Sequence, residues 1–231
     1  MSLFHNFLPC LLSIPLSSLV AQDTARIAPV VVSATRVPLA LSSLPVSVVV
    51  LKGEDLRLRG VTTVADALND VSSAYVAQTG AQGGQTSLFL RGGESKYVKV
   101  LIDGVPANDP GGVYDFASLT IDNIDRIEIV RGPVSVVHGA DAVTGVVQVI
   151  TKRGAGAMRV ESSVSRSAAS RSALMGQRAG AMSASDLSAV VSGSLTGASY
   201  SMSLSRHSSD GLYALNNGYM NNVLSGRVLL V

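Results

Sequence analysis

The side chains that could carry out chemistry in this 231-residue chain are few, and they do not form a catalytic pattern. Residues 80–87 read GAQGGQTS, which has the glycine content of a phosphate-binding loop. Such a loop also needs a lysine before its Thr-Ser pair and a helix after it. Here the lysine is absent and a strand is predicted to follow. Ser135 and His138 fit a single helical turn, and no Ser/His/Asp set is evident, so we predict no catalytic residue and no enzymatic activity.

Metal ligands and thiols are equally sparse. The three histidines are His5, His138 and His207. None stands at an i, i+4 spacing from another, so a zinc site is not expected. Cys10 is the one cysteine and lies in an N-terminal apolar stretch, which leaves no disulfide framework. Asp103 and Asp109 could be paired carboxylates, but Asp103-Gly104 is first a tight-turn signal. We predict no resident metal or cofactor.

Composition favours β structure and argues against a nucleic-acid partner. Hydrophobic residues make up 47% of the chain and charged residues 15%, with a net charge of +2. Lysine and arginine do not cluster between aromatic residues, as they would on a nucleic-acid-binding surface. The 22 glycines, together with many short valine-rich runs, indicate strands joined by tight turns.

Residues 1–21 have the pattern of a secretory signal. Residues 7–20 are apolar or small, but the stretch is too short for a membrane span and contains Pro9 and Pro15. Cleavage is expected after Ala21. The segment before the apolar run lacks Lys and Arg, which a misassigned start codon would explain. Later segments contain no run of 18 apolar residues, so no transmembrane helix is predicted.

Residues 46–153 predict an α+β domain, a small mixed β-sheet with short helices. A strand is expected at 46–51, and a helix begins at Thr63 with Asp66 as its capping-box partner. Val64, Ala65, Leu68 and Val71 give this helix its apolar face. Further strands are predicted at 75–78, 87–90, 97–102, 126–130 and 146–151. This order lacks the regular alternation of parallel βαβ units.

The segments on either side of residues 46–153 differ from this domain in composition. Residues 22–45 carry three prolines and a valine run, which fits an edge strand, a stiff linker or a peptide that adds to a partner's sheet. Composition alone favours the first two. Residues 154–231 alternate apolar and polar side chains, as in Met202 and Leu204 against Ser203 and Ser205. Such alternation is typical of a transmembrane β-strand and equally of a soluble sheet.

Four stretches, in their order and spacing, resemble the plug domain of TonB-dependent receptors preceded by a TonB box. They read PVVVSATR at 29–36, SLFLRGG at 87–93, VLIDGVPANDP at 100–110 and IDRIEIVRGPVSVVHGADAVTGVVQVITKR at 124–153. The departures are small. Thr144-Gly145 replaces the usual glycine pair, His138 replaces a tyrosine, and Pro29 and Ser33 stand in the box where an acidic-Thr and a second Thr are more common.

The resemblance implies an architecture and partners. Residues 1–21 would be the signal peptide, 22–45 the TonB box and linker, 46–153 the plug and 154–231 the start of an outer-membrane barrel. In the family the plug sits inside a 22-stranded barrel, and the TonB protein pairs with the box as an added strand. The partners implied are TonB, outer-membrane lipid and a large nutrient such as cobalamin or a ferric siderophore. DGLYALNNGY at 210–219 looks most like the cobalamin-receptor branch.

The resemblance also assigns site residues. The TonB-binding set is Pro29, Val30, Val31, Val32, Ser33 and Ala34. The residues expected to lock the plug to glutamates of the barrel wall are Arg91 and Arg131. The residues of the ligand-facing loops are Gln78, Gln82, Gln85, Asn108, Asp109 and Tyr114. The structural turns are Gly92, Asp103, Gly104, Gly132, Pro133, Gly139 and Gly145.

Residues 154–231 are too few for a closed barrel, because 22 strands of about ten residues need about 220 residues for the strands alone. They allow about four to six strands. We therefore expect a truncated reading frame or a fragment, which could not transport by itself. The alternative is a periplasmic binding or signalling module that uses the plug fold alone, with its tail as a soluble sheet.

Overall fold

The computed structural model describes residues 30–31, 39–40, 47–171, 180–211 and 217–230. Its first part contains β1 (Val30–Val31), β2 (Leu39–Ala40), β3 (Ser47–Lys52), α1 (Gly53–Leu58), α2 (Val64–Asn69), β4 (Ala74–Gln78), β5 (Thr86–Leu90), a 3₁₀ turn (Ser95–Tyr97), β6 (Val98–Ile102), β7 (Val105–Pro106), β8 (Ile124–Arg131), α3 (Ser135–His138) and β9 (Gly145–Thr151). Its second part contains β10 (Arg159–Arg171), β11 (Gly180–Leu195), β12 (Ala198–Ser209) and β13 (Tyr219–Leu230).

A five-stranded mixed sheet forms the centre of the first part. Its strand order is β3-β8-β9-β6-β7, with β6 and β9 parallel and the other pairs antiparallel. Strands β8 and β9 are flanked on both edges, and Ile127, Ile129 and Val147 are fully buried. Burial on both faces explains why β9 (GVVQVIT) is nearly a continuous run of β-branched residues. We refer to residues 47–151 as the α+β domain, and its predicted class is confirmed.

The helix α2 covers one side of this core as predicted. The Thr63 hydroxyl accepts a hydrogen bond from the Asp66 amide at 3.1 Å and donates to the Asp66 carboxylate at 2.6 Å. Capping of this kind satisfies amide groups that have no partner inside the helix. Helix α1 was not predicted, because GEDLRL is under two turns long and buries only one large apolar side chain, Leu56.

Strands β10 to β13 form a second sheet, which we call the four-stranded sheet. Neighbours along the chain pair antiparallel throughout, so the order is β10-β11-β12-β13. Strand β11 is the longest, with 16 residues, and β12 and β13 have 12 each. These are far longer than the strands of the α+β domain and can therefore extend across one whole side of it. None of the helices in the described ranges has the length and hydrophobicity needed to cross a membrane.

Candidate functional site

The face of the four-stranded sheet that lies against the α+β domain is mainly polar, although it includes the buried Val190, which is opposite Ser203. On β12, Ser201, Ser203 and Ser205 are each only 2% exposed, and His207, next in the same row, is 6% exposed. The alternate residues Met202 and Leu204 are 55% and 60% exposed. Burial is thus reversed relative to a soluble sheet, which buries its apolar side chains. The exposed apolar face continues with Val160, Val164, Leu187, Met220, Leu224, Val228 and Leu230.

His207 bridges the two parts of the molecule. Its Nε2 lies 2.9 Å from Asp122 Oδ2, in the loop before β8, and its Nδ1 lies 2.8 Å from Asp186 Oδ1 on β11. Burial alone would raise the pKa of Asp122, but the hydrogen bond from His207, helped by the Thr120 hydroxyl, outweighs it. The pKa of Asp122 is therefore held below its usual value, and this carboxylate is ionised at neutral pH.

Asp103 makes a second bridge. It follows β6 with a left-handed φ of 51°, as its predicted turn requires. Its carboxylate accepts hydrogen bonds from the Thr151 amide at 3.0 Å and the Thr151 hydroxyl at 2.5 Å. It also pairs with the Arg227 guanidinium of β13 at 2.6 Å. One carboxylate thus fixes a turn, the end of β9 and the position of β13.

Neutral hydrogen bonds join the same two surfaces. The Asn123 side chain accepts a hydrogen bond from the Ser201 hydroxyl at 2.8 Å and donates to Ser225 Oγ at 2.9 Å. Asn221 Nδ2 donates to the Ser118 carbonyl at 3.1 Å. Ser118, Asp122 and Asn123 therefore tie this segment to β12 and β13. An interface this polar can be separated in water at a lower cost than an apolar one, because the exposed groups become hydrated.

The two predicted ligand-facing loops lie next to each other. The Thr86 amide donates to Asp115 Oδ1 at 2.8 Å, and the Phe116 amide donates to the Thr86 carbonyl at 2.9 Å. Gln78, Gln82, Gln85 and Asp109 are exposed, although Gln78 Nε2 also donates to the Ala81 carbonyl at 2.6 Å. Such side chains offer donors and acceptors to a bound molecule.

Two other residues of these loops are engaged internally. Asn108 Oδ1 accepts from the Val100 amide at 2.8 Å, and its Nδ2 donates to the Val98 and Gly112 carbonyls at 2.9 and 2.8 Å. The Tyr114 ring packs edge-on against Phe116, with the ring centroids 4.8 Å apart. Both residues hold the loop in shape. That any of the six loop residues contacts a ligand stays a prediction.

Loop 78–86 also touches the four-stranded sheet. A Cβ atom at Gly83 would lie 2.5 Å from the ring of Tyr219, which begins β13. Any larger residue would push the ring away. The structure therefore brings a predicted ligand-facing loop to one end of the sheet.

The two predicted lock arginines lie side by side. Arg131 donates to the Ser72 carbonyl at 2.8 Å and to Ser47 Oγ at 2.6 Å. Arg91 lies close to Gly132, whose Cβ position would be 3.1 Å from Arg91 Nη1. Neither arginine forms an ion pair within the described part of the chain. Their pairing with a barrel wall stays a prediction.

The predicted turns and the N-terminal box are only partly described. Left-handed backbone is found at Gly92, Asp103, Gly104, Gly132 and Gly139. Pro133 follows the end of β8, and Gly145 starts β9. Val30–Val31 pairs antiparallel with Leu39–Ala40. Pro29, Val32, Ser33 and Ala34 lie outside the described residues. In the ranges that are described, no cluster of three or more His, Cys, Asp or Glu side chains could hold a metal.

Sequence reasoning missed the charged contacts between the two surfaces. Asp122, Asp186, His207 and Arg227 were not singled out. A signal was available for one of them, since the serine row at 201, 203 and 205 continues with the same period of two to position 207. The others become visible only after the two sheets are placed against each other.

Comparisons with known proteins match this arrangement. Residues 40–146 match the family model described as the TonB-dependent Receptor Plug Domain. The chain is 34% identical to the vitamin B12 transporter BtuB of Vibrio vulnificus (strain CMCP6) over 137 residues. The matched region covers 59% of this chain and 23% of the relative. The chain therefore spans about a quarter of the length of that curated relative.

Solved structures show the same fold. The siderophore receptor PirA from Acinetobacter baumannii superposes with a TM-score of 0.61 at 23% identity, over 80% of this chain and 29% of that one. The unliganded ferric citrate transporter FecA gives a TM-score of 0.59 at 19% identity, over 81% and 32%. In both cases the similarity extends beyond residues 40–146, so it includes part of the four-stranded sheet.

Proposed function

We propose that this chain, whose residues 40–146 match the TonB-dependent receptor plug domain, is the N-terminal part of an outer-membrane receptor that takes up a large nutrient with energy supplied through TonB. The α+β domain is called the plug from here on. One observation supports this most strongly. The four-stranded sheet buries its serine and histidine row against the plug and exposes its methionine and leucine row. A sheet with water or protein on one side and lipid on the other requires this division.

The nutrient is proposed to be of the cobalamin or ferric siderophore class. The relatives are named as a vitamin B12 transporter, a siderophore receptor and a ferric citrate transporter. The adjacent exposed side chains of loops 78–86 and 107–115 would contact it from the outer side. The alternative of a periplasmic module with a soluble tail fits less well, since it would leave a wide apolar face in water. Stable monomeric behaviour without detergent would favour that alternative.

Coupling to TonB is proposed to occur through residues 29–34, with Val30–Val31 already extended enough to add to a partner's sheet. We expect a Val31→Cys variant of the full-length receptor, in the outer membrane of cells that produce it, to cross-link to the C-terminal domain of TonB. Cross-linking should increase when the correct nutrient is added. Vitamin B12, a ferric siderophore and ferric citrate are to be supplied separately.

The matched control is Leu58→Cys, an exposed position at the end of α1 that lies outside the box. It should give little cross-link and no response to any nutrient. Equal cross-linking at positions 31 and 58, or none at 31 with all three nutrients, would contradict the proposed coupling.

A further inference from the structure

We infer that His207 is a positioning residue, and that the second proton of its imidazole sets how firmly the plug is held against the four-stranded sheet. The inference rests on the proposed function, in which the plug must shift relative to the sheet. His207 belongs to the sheet, Asp122 to the plug, and Asp186 to the sheet again. The histidine therefore links a carboxylate of the plug to a carboxylate of the sheet. We call the set of Asp122, His207 and Asp186 the proton clasp.

The geometry of the proton clasp requires a proton on both ring nitrogens. Nε2 faces Asp122 Oδ2 at 2.9 Å, and Nδ1 faces Asp186 Oδ1 at 2.8 Å. A neutral imidazole carries one N–H, so one ionised carboxylate would face a nitrogen lone pair instead of a donor. Because His207 is buried, water cannot easily supply the missing donor. The closed clasp thus holds one proton more than the same three groups do when they are apart in neutral or alkaline water.

Within the part of the chain that the structure describes, the charge of His207 is set by its two carboxylate partners. Asp122 and Asp186 are the charged groups that face it within the described residues. On β13 the residue opposite in register is Asn221, which is neutral, and Ser205 is the preceding inward residue of β12. Arg206 lies on the exposed face of the strand. One imidazole therefore stands between two carboxylates at this site.

The second bridge, between Asp103 and Arg227, differs in this respect. A guanidinium stays charged at any pH that the protein meets, so this ion pair does not weaken as a histidine loses its proton. The Lys152–Glu161 ion pair, at 2.6 Å, is a third charged contact between the plug and the sheet, and its glutamate side chain is 58% exposed. Of the three contacts only the first contains an imidazole, so loss of the His207 proton weakens the hold on residues 118–123.

The direction of the effect follows from the proton count. The closed clasp binds more protons than the open one, so raising the pH favours the open form and lowering it favours the closed form. Between the pKa values of the open and closed states, opening increases about tenfold per pH unit. In the proposed receptor, a plug in alkaline surroundings would therefore separate from the sheet under a smaller pull.

Hydrogen exchange of the peptide that covers residues 117–125 tests the inference on the intact chain in detergent micelles. Exchange is compared between about pH 6 and pH 10 after correction for its intrinsic dependence on pH. In the unaltered chain we expect protection to fall by tenfold or more across this interval. His207→Gln should exchange rapidly at every pH, without a step.

The decisive variant is Asp186→Asn. A neutral imidazole can donate from Nε2 to Asp122 and accept at Nδ1 from the new amide, so the clasp stays closed without the extra proton. Protection should then remain high across the whole interval. This result separates a proton-dependent contact from a merely structural one, and it does not depend on whether His207→Gln folds.

Arg227→Gln serves as the matched control. It should raise exchange around residues 103 and 151 and leave the pH step at 117–125 in place. A flat profile in the unaltered chain, or an undiminished step in Asp186→Asn, would overturn the inference. The measurement involves neither TonB nor a nutrient, so its failure would leave the cross-linking at position 31 as an independent test of the proposed function.

Discussion

Replacement of Asp103 by alanine is expected to lower the free energy of unfolding of the plug by about 3 kcal/mol. The carboxylate accepts two hydrogen bonds from Thr151 and one charged hydrogen bond from Arg227. Its loss leaves the Arg227 guanidinium, only 15% exposed, without its ionic partner. A fully buried pair would cost more when broken, but both side chains here retain some contact with water. Urea-induced unfolding of the intact chain in micelles, followed by circular dichroism, measures the change.

Asp109→Ala is the matched control for this prediction. Asp109 also lies in a turn, but its described contacts come from its backbone, whose amide donates to the Val113 carbonyl at 2.8 Å. Truncation of an exposed side chain of this kind should change stability by less than about 0.5 kcal/mol. If both variants lost the same small amount, Asp103 would be a turn residue and nothing more. Combining Asp103→Ala with Arg227→Ala should cost less than the sum of the single changes, because the two residues share one interaction.

Replacement of Gly145 by alanine is expected to destabilise the plug by about 3 kcal/mol. A Cβ atom at this position would lie 2.4 Å from the Val130 carbonyl oxygen and 2.9 Å from Leu90 Cδ1. The first of these atoms is backbone at the β8–β9 pairing, where Gly145 is opposite Arg131. Neither strand can move without disturbing the central sheet, so the clash cannot be relieved by a side-chain rotation. The same urea titration tests it.

The neighbouring Thr144 provides the control. Its hydroxyl donates to the Tyr97 carbonyl at 3.0 Å, which is the main contribution that Thr144→Gly would remove. The expected cost is about 1 kcal/mol, from one hydrogen bond and a more flexible backbone. A Gly145→Ala variant as stable as Thr144→Gly would show that β9 packs against β8 less closely than it does here.

Local features of the fold were predictable from sequence because their causes lie within a few residues. The capping pair of Thr63 and Asp66 is three residues apart, and the expected hydrogen bond from the Asp66 amide to the Thr63 hydroxyl is present. The Asp66 carboxylate accepts from the Thr63 hydroxyl, where a full capping box would have it accept from the Thr63 amide. The alternation of Ser203 with Leu204 follows from the period of two in a strand. The sequence left open whether the serine row or the apolar row of this strand faces the rest of the protein. The two-faced alternation fits a soluble or a membrane sheet equally until the plug is placed against one side.

The contacts that join the plug to the sheet were not predictable, because their partners are distant in sequence. Asp122 and His207 are 85 residues apart, and Asp103 and Arg227 are 124 apart. A single histidine or arginine in a strand gives no local sign of its partner. Asn108 shows that a residue's contacts can differ from the role that its loop suggests. It was assigned to a ligand-facing loop, and its amide proves to hold that loop together through three backbone contacts.

The central claim is that the four-stranded sheet lies between the plug and lipid, and adjacent residues of β13 test it most directly. Single cysteines at Leu224, which is exposed, and at Val223, which faces inward, are labelled with a small fluorophore in lipid vesicles. Brominated lipids should quench the label at position 224 strongly and the label at position 223 weakly. Equal quenching at the two positions, or none at 224, would contradict the claim.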